Sequence, residues 1–166
     1  IVVRAANEVN LDAGDAITDR HYAQIGHGGL RANAIGAGHS GNISILAGPG
    51  AAPGVNSQIR GSGAGGGNEN YALIGHGGPG VGNAASLSGN IEFITHSGGS
   101  LDMFGGNQAG QGNTYAQIGH SDNGPVSGNI TVLVDGELSL VTGANAGQHP
   151  RIAHRGTLSL QPGGAD

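Results

Sequence analysis

Four histidines stand at corresponding places along the chain. His27, His76, His120 and His154 each close a short apolar run, at intervals of 49, 44 and 34 residues. Neutral imidazole is a common metal ligand, so a file of such rings could offer a row of nitrogen donors. The same spacing suits a structural file, in which neutral rings stack at strand ends and bond to turn backbone. That second reading is adopted, with no metal and no cofactor expected. Stacked rings cannot all be charged cheaply, so the file is expected to loosen below about pH 6.

Three further columns carry recognition chemistry or need cover. Tyr22, Tyr71 and Tyr115 lie five residues before the first three histidines. Strand alternation sets Tyr, Gln and Gly against Ala, Ile and His, so these rings are expected to face outward, where an aromatic row packs against sugar faces. Asn42, Asn90 and Asn129 each follow a glycine and open a strand; stacked amides bond along an axis, as in cross-β ladders. Asn-Ile-Ser at 42–44 and Asn-Ile-Thr at 129–131 match a glycosylation pattern, which is taken as chance. Leu46, Ile94 and Leu133 follow the inward Ile45, Phe93 and Val132 and so turn outward. Such an aliphatic row calls for cover by a loop or by another chain, with Arg4 in its place in the first copy.

The acids make a poor catalyst. Glycoside hydrolysis needs two carboxylates across the scissile bond. Glu92 aligns with Ser44 and Thr131, Asp102 with Asn10 and Ser139, and Asp135 with Ala6, which leaves each acid alone in its column. Asp15 and Asp19 beside His21 read as a solvated turn. The chain has no Cys and no Lys, and it has no Gly-x-Ser-x-Gly elbow. The glycines lack the regular acids of a calcium-binding roll, and threonine is too sparse for an ice-binding row. No enzyme is expected.

The elements that must position these columns follow from the repeat. Tyr-Ala-Gln-Ile-Gly-His at 22–27 returns as Tyr-Ala-Leu-Ile-Gly-His at 71–76, again at 115–120, and in worn form at 151–154. Gly-Asn-Ile-Ser-Ile at 41–45 returns at 89–93 and 128–132, with Gly-Thr-Leu-Ser-Leu at 156–160 as a last copy. A third block comprises Val-Asn-Leu at 9–11, Leu-Asp-Met at 101–103 and Leu-Ser-Leu at 138–140, with 57–59 as its degraded copy. Each block alternates apolar and polar residues, the mark of a strand with one buried face. The 36 glycines among 166 residues exclude a helical domain, because each interior helical glycine costs about 1 kcal/mol. They keep no three-residue period, which excludes collagen.

Three such strands cannot bury their apolar faces alone. Coiling the chain, so that each strand lies on its counterpart one turn later, stacks the inward residues into columns about 4.8 Å apart. The expected fold is all-β, a right-handed parallel β-helix (β-solenoid) of four three-strand rungs at about 1–29, 41–78, 89–120 and 128–156, with a partial rung at 157–166. A propeller would need four antiparallel strands per repeat, and only three blocks are visible. The single segment is expected to be uncapped at both ends, and open rungs recruit other strands. It is therefore expected to adjoin further repeats or stack end to end on copies of itself.

The glycine-rich pairing of Tyr-Ala-Gln-Ile-Gly-His-Gly-Gly with Gly-Asn-Ile-x-Val/Ile resembles the repeats of filamentous-haemagglutinin-like exoproteins and large bacterial surface adhesins. That resemblance implies a secreted, cell-surface protein serving as adhesin stalk or biofilm scaffold. A carbohydrate-binding module using the tyrosine column is the alternative, with cell-surface glycans as partners, and a polysaccharide-cleaving β-helix enzyme is a minor one. Six scattered arginines and a pI near 5.8 argue against nucleic acid. No apolar run reaches the roughly 20 residues of a membrane helix.

Overall fold

A computed structural model of the chain describes residues 1–14, 19–29, 38–48, 55–62, 69–78, 86–106, 114–121, 125–143 and 148–154. The described residues form strands and no helix, and every strand pairing is parallel. Numbered in chain order, β1 (Val2–Ala5), β5 (Ile43–Ala47), β9 (Ile91–Thr95) and β13 (Ile130–Leu133) form one sheet in that order. A second sheet holds β2 (Asn10–Asp12), β6 (Asn56–Arg60), β10 (Ser100–Phe104) and β14 (Leu138–Val141). The third holds β3 (Tyr22–Ile25), β7 (Tyr71–Ile74), β11 (Tyr115–Ile118) and β15 (His149–Ile152).

Register follows the repeat. Ile43 pairs with Ile91 and Ile91 with Ile130, while Val3, Ile45, Phe93 and Val132 make the neighbouring file. These files meet Leu11, Ile59 and Met103 from the second sheet, and Ala72, Ile74, Ala116 and Ile118 from the third, in one apolar core. Period-two alternation is the cause: in β5 and β9 every second residue is buried and the residues between are half-buried. The degraded block at 57–59 lies in β6, in register between β2 and β10. Ser57 stands in a core position there, and its Oγ accepts from the Val9 amide at 3.1 Å, so the polar atom is satisfied.

A fourth set of strands departs from the three-block expectation. β4 (His39–Ser40), β8 (Leu87–Ser88) and β12 (Val126–Ser127) pair in parallel just before each Gly-Asn corner. Two residues carry no period, so the sequence shows no block at these positions. The proposed last copy at 156–160, and the partial rung at 157–166, lie outside the described residues.

Glycine is required where corners of successive turns touch. Gly89 has φ +131°, and a Cβ on it would stand 2.2 Å from the Gly41 carbonyl oxygen. Gly128 stands against Gly89 in the same way, at 2.1 Å. No side chain fits between these corners at rung spacing.

Candidate functional site

The four histidines form one continuous file beside the third sheet. Ring centroids of His27, His76, His120 and His154 are 5.1, 4.9 and 4.7 Å apart in succession, with interplanar angles of 12°, 13° and 22°. The Ile-Gly-His that ends the first three strands, and Ile-Ala-His at 152–154, deliver a ring to the same point in every turn. His76 and His120 are fully buried.

Hydrogen bonds define the state of these rings. The His27 amide donates to His76 Nδ1 at 3.0 Å, the His76 amide to His120 Nδ1 at 3.1 Å, and the His120 amide to His154 Nδ1 at 3.1 Å. Nδ1 is therefore an acceptor, which leaves the proton on Nε2 of the neutral ring. Each Nε2–H donates to a corner carbonyl: His76 to Gly41 at 2.9 Å, His120 to Gly89 at 3.0 Å, and His154 to Gly128 at 3.1 Å. One imidazole thus joins the end of a repeat to the beginning of the same repeat, and also to the turn before. Neither nitrogen of these three rings keeps a lone pair for a metal ion.

Burial holds these groups neutral. Desolvation pushes His120 down to about 4, opposed by its bond to the Gly89 carbonyl and reinforced by the flanking His154 and His76. His76 and His154 are lowered in the same direction, again chiefly by desolvation.

The asparagines form a second file. The Asn90 amide donates to Asn42 Oδ1 at 2.9 Å, and the Asn129 amide to Asn90 Oδ1 at 3.0 Å. Backbone bonds run the other way between the same turns, from Ile43 N to Asn90 O and from Ile91 N to Asn129 O, at 2.9 and 2.8 Å. Each side-chain carbonyl fills a gap that the ladder leaves at the Gly-Asn corner.

The tyrosine column needs correction. Its rings do stack, Tyr22 on Tyr71 at 5.1 Å and Tyr71 on Tyr115 at 5.4 Å, and they turn away from the main core. Yet Tyr71 is 0 % exposed and Tyr115 only 7 %, in a second apolar cluster with Leu73, while Tyr22 alone is exposed. Alternation identified the side correctly but not its cover, so the expected ligand-binding row is no surface. In the last repeat His149 takes the tyrosine's register position, and the Arg151 guanidinium lies 5.1 Å from the Tyr115 ring centre.

Leu46, Ile94 and Leu133 pair in register with Arg4 on the outer face of the first sheet. Leu46 and Ile94 are half-buried and Leu133 is exposed. Glu92 accepts from Ser44 Oγ at 2.9 Å in the adjoining file, and Asp102 pairs with Gln58 and Ser139, so among the described residues neither acid has a carboxylate partner in register. Asp15 lies outside the described residues.

Sequence reasoning missed the glutamines. Gln117 Nε2 contacts the carbonyls of Gly119, His120 and Ala153 at 3.2, 3.1 and 3.1 Å, and its Oε1 accepts from Arg151 Nε at 2.8 Å. Gln24 Nε2 does the same with the Gly75 and Gly77 carbonyls, both at 3.0 Å. Their recurrence between Tyr and His was the available signal. No family model matches the chain, and neither curated proteins nor solved structures yielded a match.

Proposed function

We propose that this chain is a length of β-solenoid rod, a right-handed parallel β-helix with a structural role as adhesin stalk or surface scaffold. The carrying observation is how the repeated polar side chains are used. His76, His120, His154, Asn42, Asn90, Gln24 and Gln117 all bond backbone across the Gly corners or between turns. Side chains so engaged hold turns at fixed spacing, as a spacer requires.

Exposure along the stack supports extension by further turns. Leu101 and Met103 in β10 are fully buried, whereas their register partners Leu138 and Leu140 in β14 are 43 % and 48 % exposed. These core-facing side chains suit another parallel turn, from adjoining repeats or from a second copy. A secreted, cell-surface location rests on the resemblance to haemagglutinin-like repeats.

Small-angle scattering and negative-stain microscopy of the purified chain test the reading. Rods of constant cross-section, lengthening into filaments with concentration or with added repeats, are expected. A compact particle of equal axes at every concentration would overturn it.

A further inference from the structure

One histidine stands outside the four-membered file yet beside it. His39, in β4, has its ring centre 6.4 Å from that of His27, with an interplanar angle of 27°. Its register partner in β8 is Leu87, which is fully buried, and the next in β12 is Val126. This file is therefore aliphatic in the later turns and carries an imidazole only in the strand beside His27.

That exchange strands a nitrogen. His39 is half-buried, and its Nε2 is enclosed without a hydrogen-bond partner. A buried polar atom left so costs about 1–3 kcal/mol unless a ligand, an ion or a water meets it. His27 differs from the rest of its own file in a matching way. His76, His120 and His154 use both ring nitrogens on backbone groups, whereas the exposed His27 ring makes no hydrogen bond among the described residues. Two imidazoles with uncommitted nitrogens thus sit side by side. A metal ion lies about 2.0–2.1 Å from an imidazole nitrogen, so two rings that share one ion have centres up to about 6.5 Å apart. The observed separation falls within that span, and the exposed His27 ring has room to tilt toward its neighbour.

From this juxtaposition we infer that His27 and His39 form a two-histidine site for a copper(II) ion. No group of three or more His, Asp or Glu gathers among the described residues, so water completes the coordination on the exposed His27 side. A nitrogen pair of this kind does not suit calcium or magnesium, which take oxygen ligands. It suits the late first-row metals, and of their divalent ions copper binds a given nitrogen set most tightly. An ion held there leaves the backbone bonds of His76, His120 and His154 intact. The site does not depend on the rod reading.

Calorimetric titration of the intact chain with copper(II), joined to electron paramagnetic resonance, tests the assignment. One equivalent should bind ahead of any other, with a spectrum that reports two nitrogen ligands, and magnesium should give no comparable heat. His27→Ala and His39→Leu should each weaken that step about tenfold or more, since losing a ligand costs at least what losing an outer-shell partner does. His96→Ala, at an exposed position just after β9, should leave it unchanged. Without metal, neither His27→Ala at its exposed position nor His39→Leu, which restores the residue type of Leu87, should lower the thermal midpoint, so lost binding is separable from lost folding. No copper binding, a spectrum with a single nitrogen, or equal binding in every variant, the mark of an adventitious ion only, would each overturn the proposal.

Discussion

A single imidazole here does the work of two backbone groups. His120 satisfies the His76 amide through Nδ1 and the Gly89 carbonyl through Nε2. His120→Ala leaves both without partners, and each orphaned buried group costs about 1–3 kcal/mol. Chemical denaturation should therefore register a loss of several kcal/mol. His27→Ala is the contrast: the residue-27 amide still reaches His76 Nδ1 and only an exposed stack is lost, so the change should stay within about 1 kcal/mol. Acid acts on the same atoms. A proton on Nδ1 removes the acceptor, and burial has already lowered His76, His120 and His154 below the ordinary value of 6.5. Groups whose value falls on folding stabilise the fold fully above the unfolded value and lose that contribution as pH drops toward the folded one. His120 alone, at about 4, accounts for about 3 kcal/mol on this basis. The thermal midpoint should be flat above about pH 7 and fall steadily from about 6.5 to 4; a flat profile across that window would refute the neutral ladder.

Strands divide into those whose position the sequence declares and those it conceals. The first three sheets are legible because their blocks alternate over several residues and recur, so Ile43, Ile91 and Ile130 could be aligned without coordinates. β4, β8 and β12 were hidden because a two-residue strand has no alternation to read. The tyrosines mark a different limit: period two tells which side of a sheet a ring takes, not what lies over that side. For the histidines, spacing gave the file, but which nitrogen meets which carbonyl depends on the Gly-Asn corner opposite, and no pattern within one strand encodes that. Core burial also differs between strands of one sheet. Phe93→Ala, at a fully buried position of β9, should cost about 3–5 kcal/mol. Val132→Ala, its partly exposed register partner in β13, should cost less than half as much. Gly89→Ala should rival the former by a different route, since its backbone is in the left-handed region and its Cβ would strike the Gly41 carbonyl.

Across the molecule, turns bond mainly to the turns above and below, so stability is a sum of neighbour terms rather than one shared quantity. The central strands β5, β7, β9 and β11 have partners on both sides, whereas β1 and β14 have one each among the described residues. Hydrogen exchange should grade accordingly, with amides of β9 and β11 slowest and those of β1 and β14 fastest. Uniform protection across all four turns would mean the stack opens only as a whole.

Direction is built into this stack twice, and in opposite senses. Along the imidazole file every N–H belongs to the earlier turn and every lone pair to the later one, while along the asparagine file the order is reversed. Inverting one turn on its neighbour would set hydrogen against hydrogen at one corner and oxygen against oxygen at the other. Among the described residues the stacking is therefore one-way, like arrows laid nose to tail, and a further strand set added to it must keep the same heading.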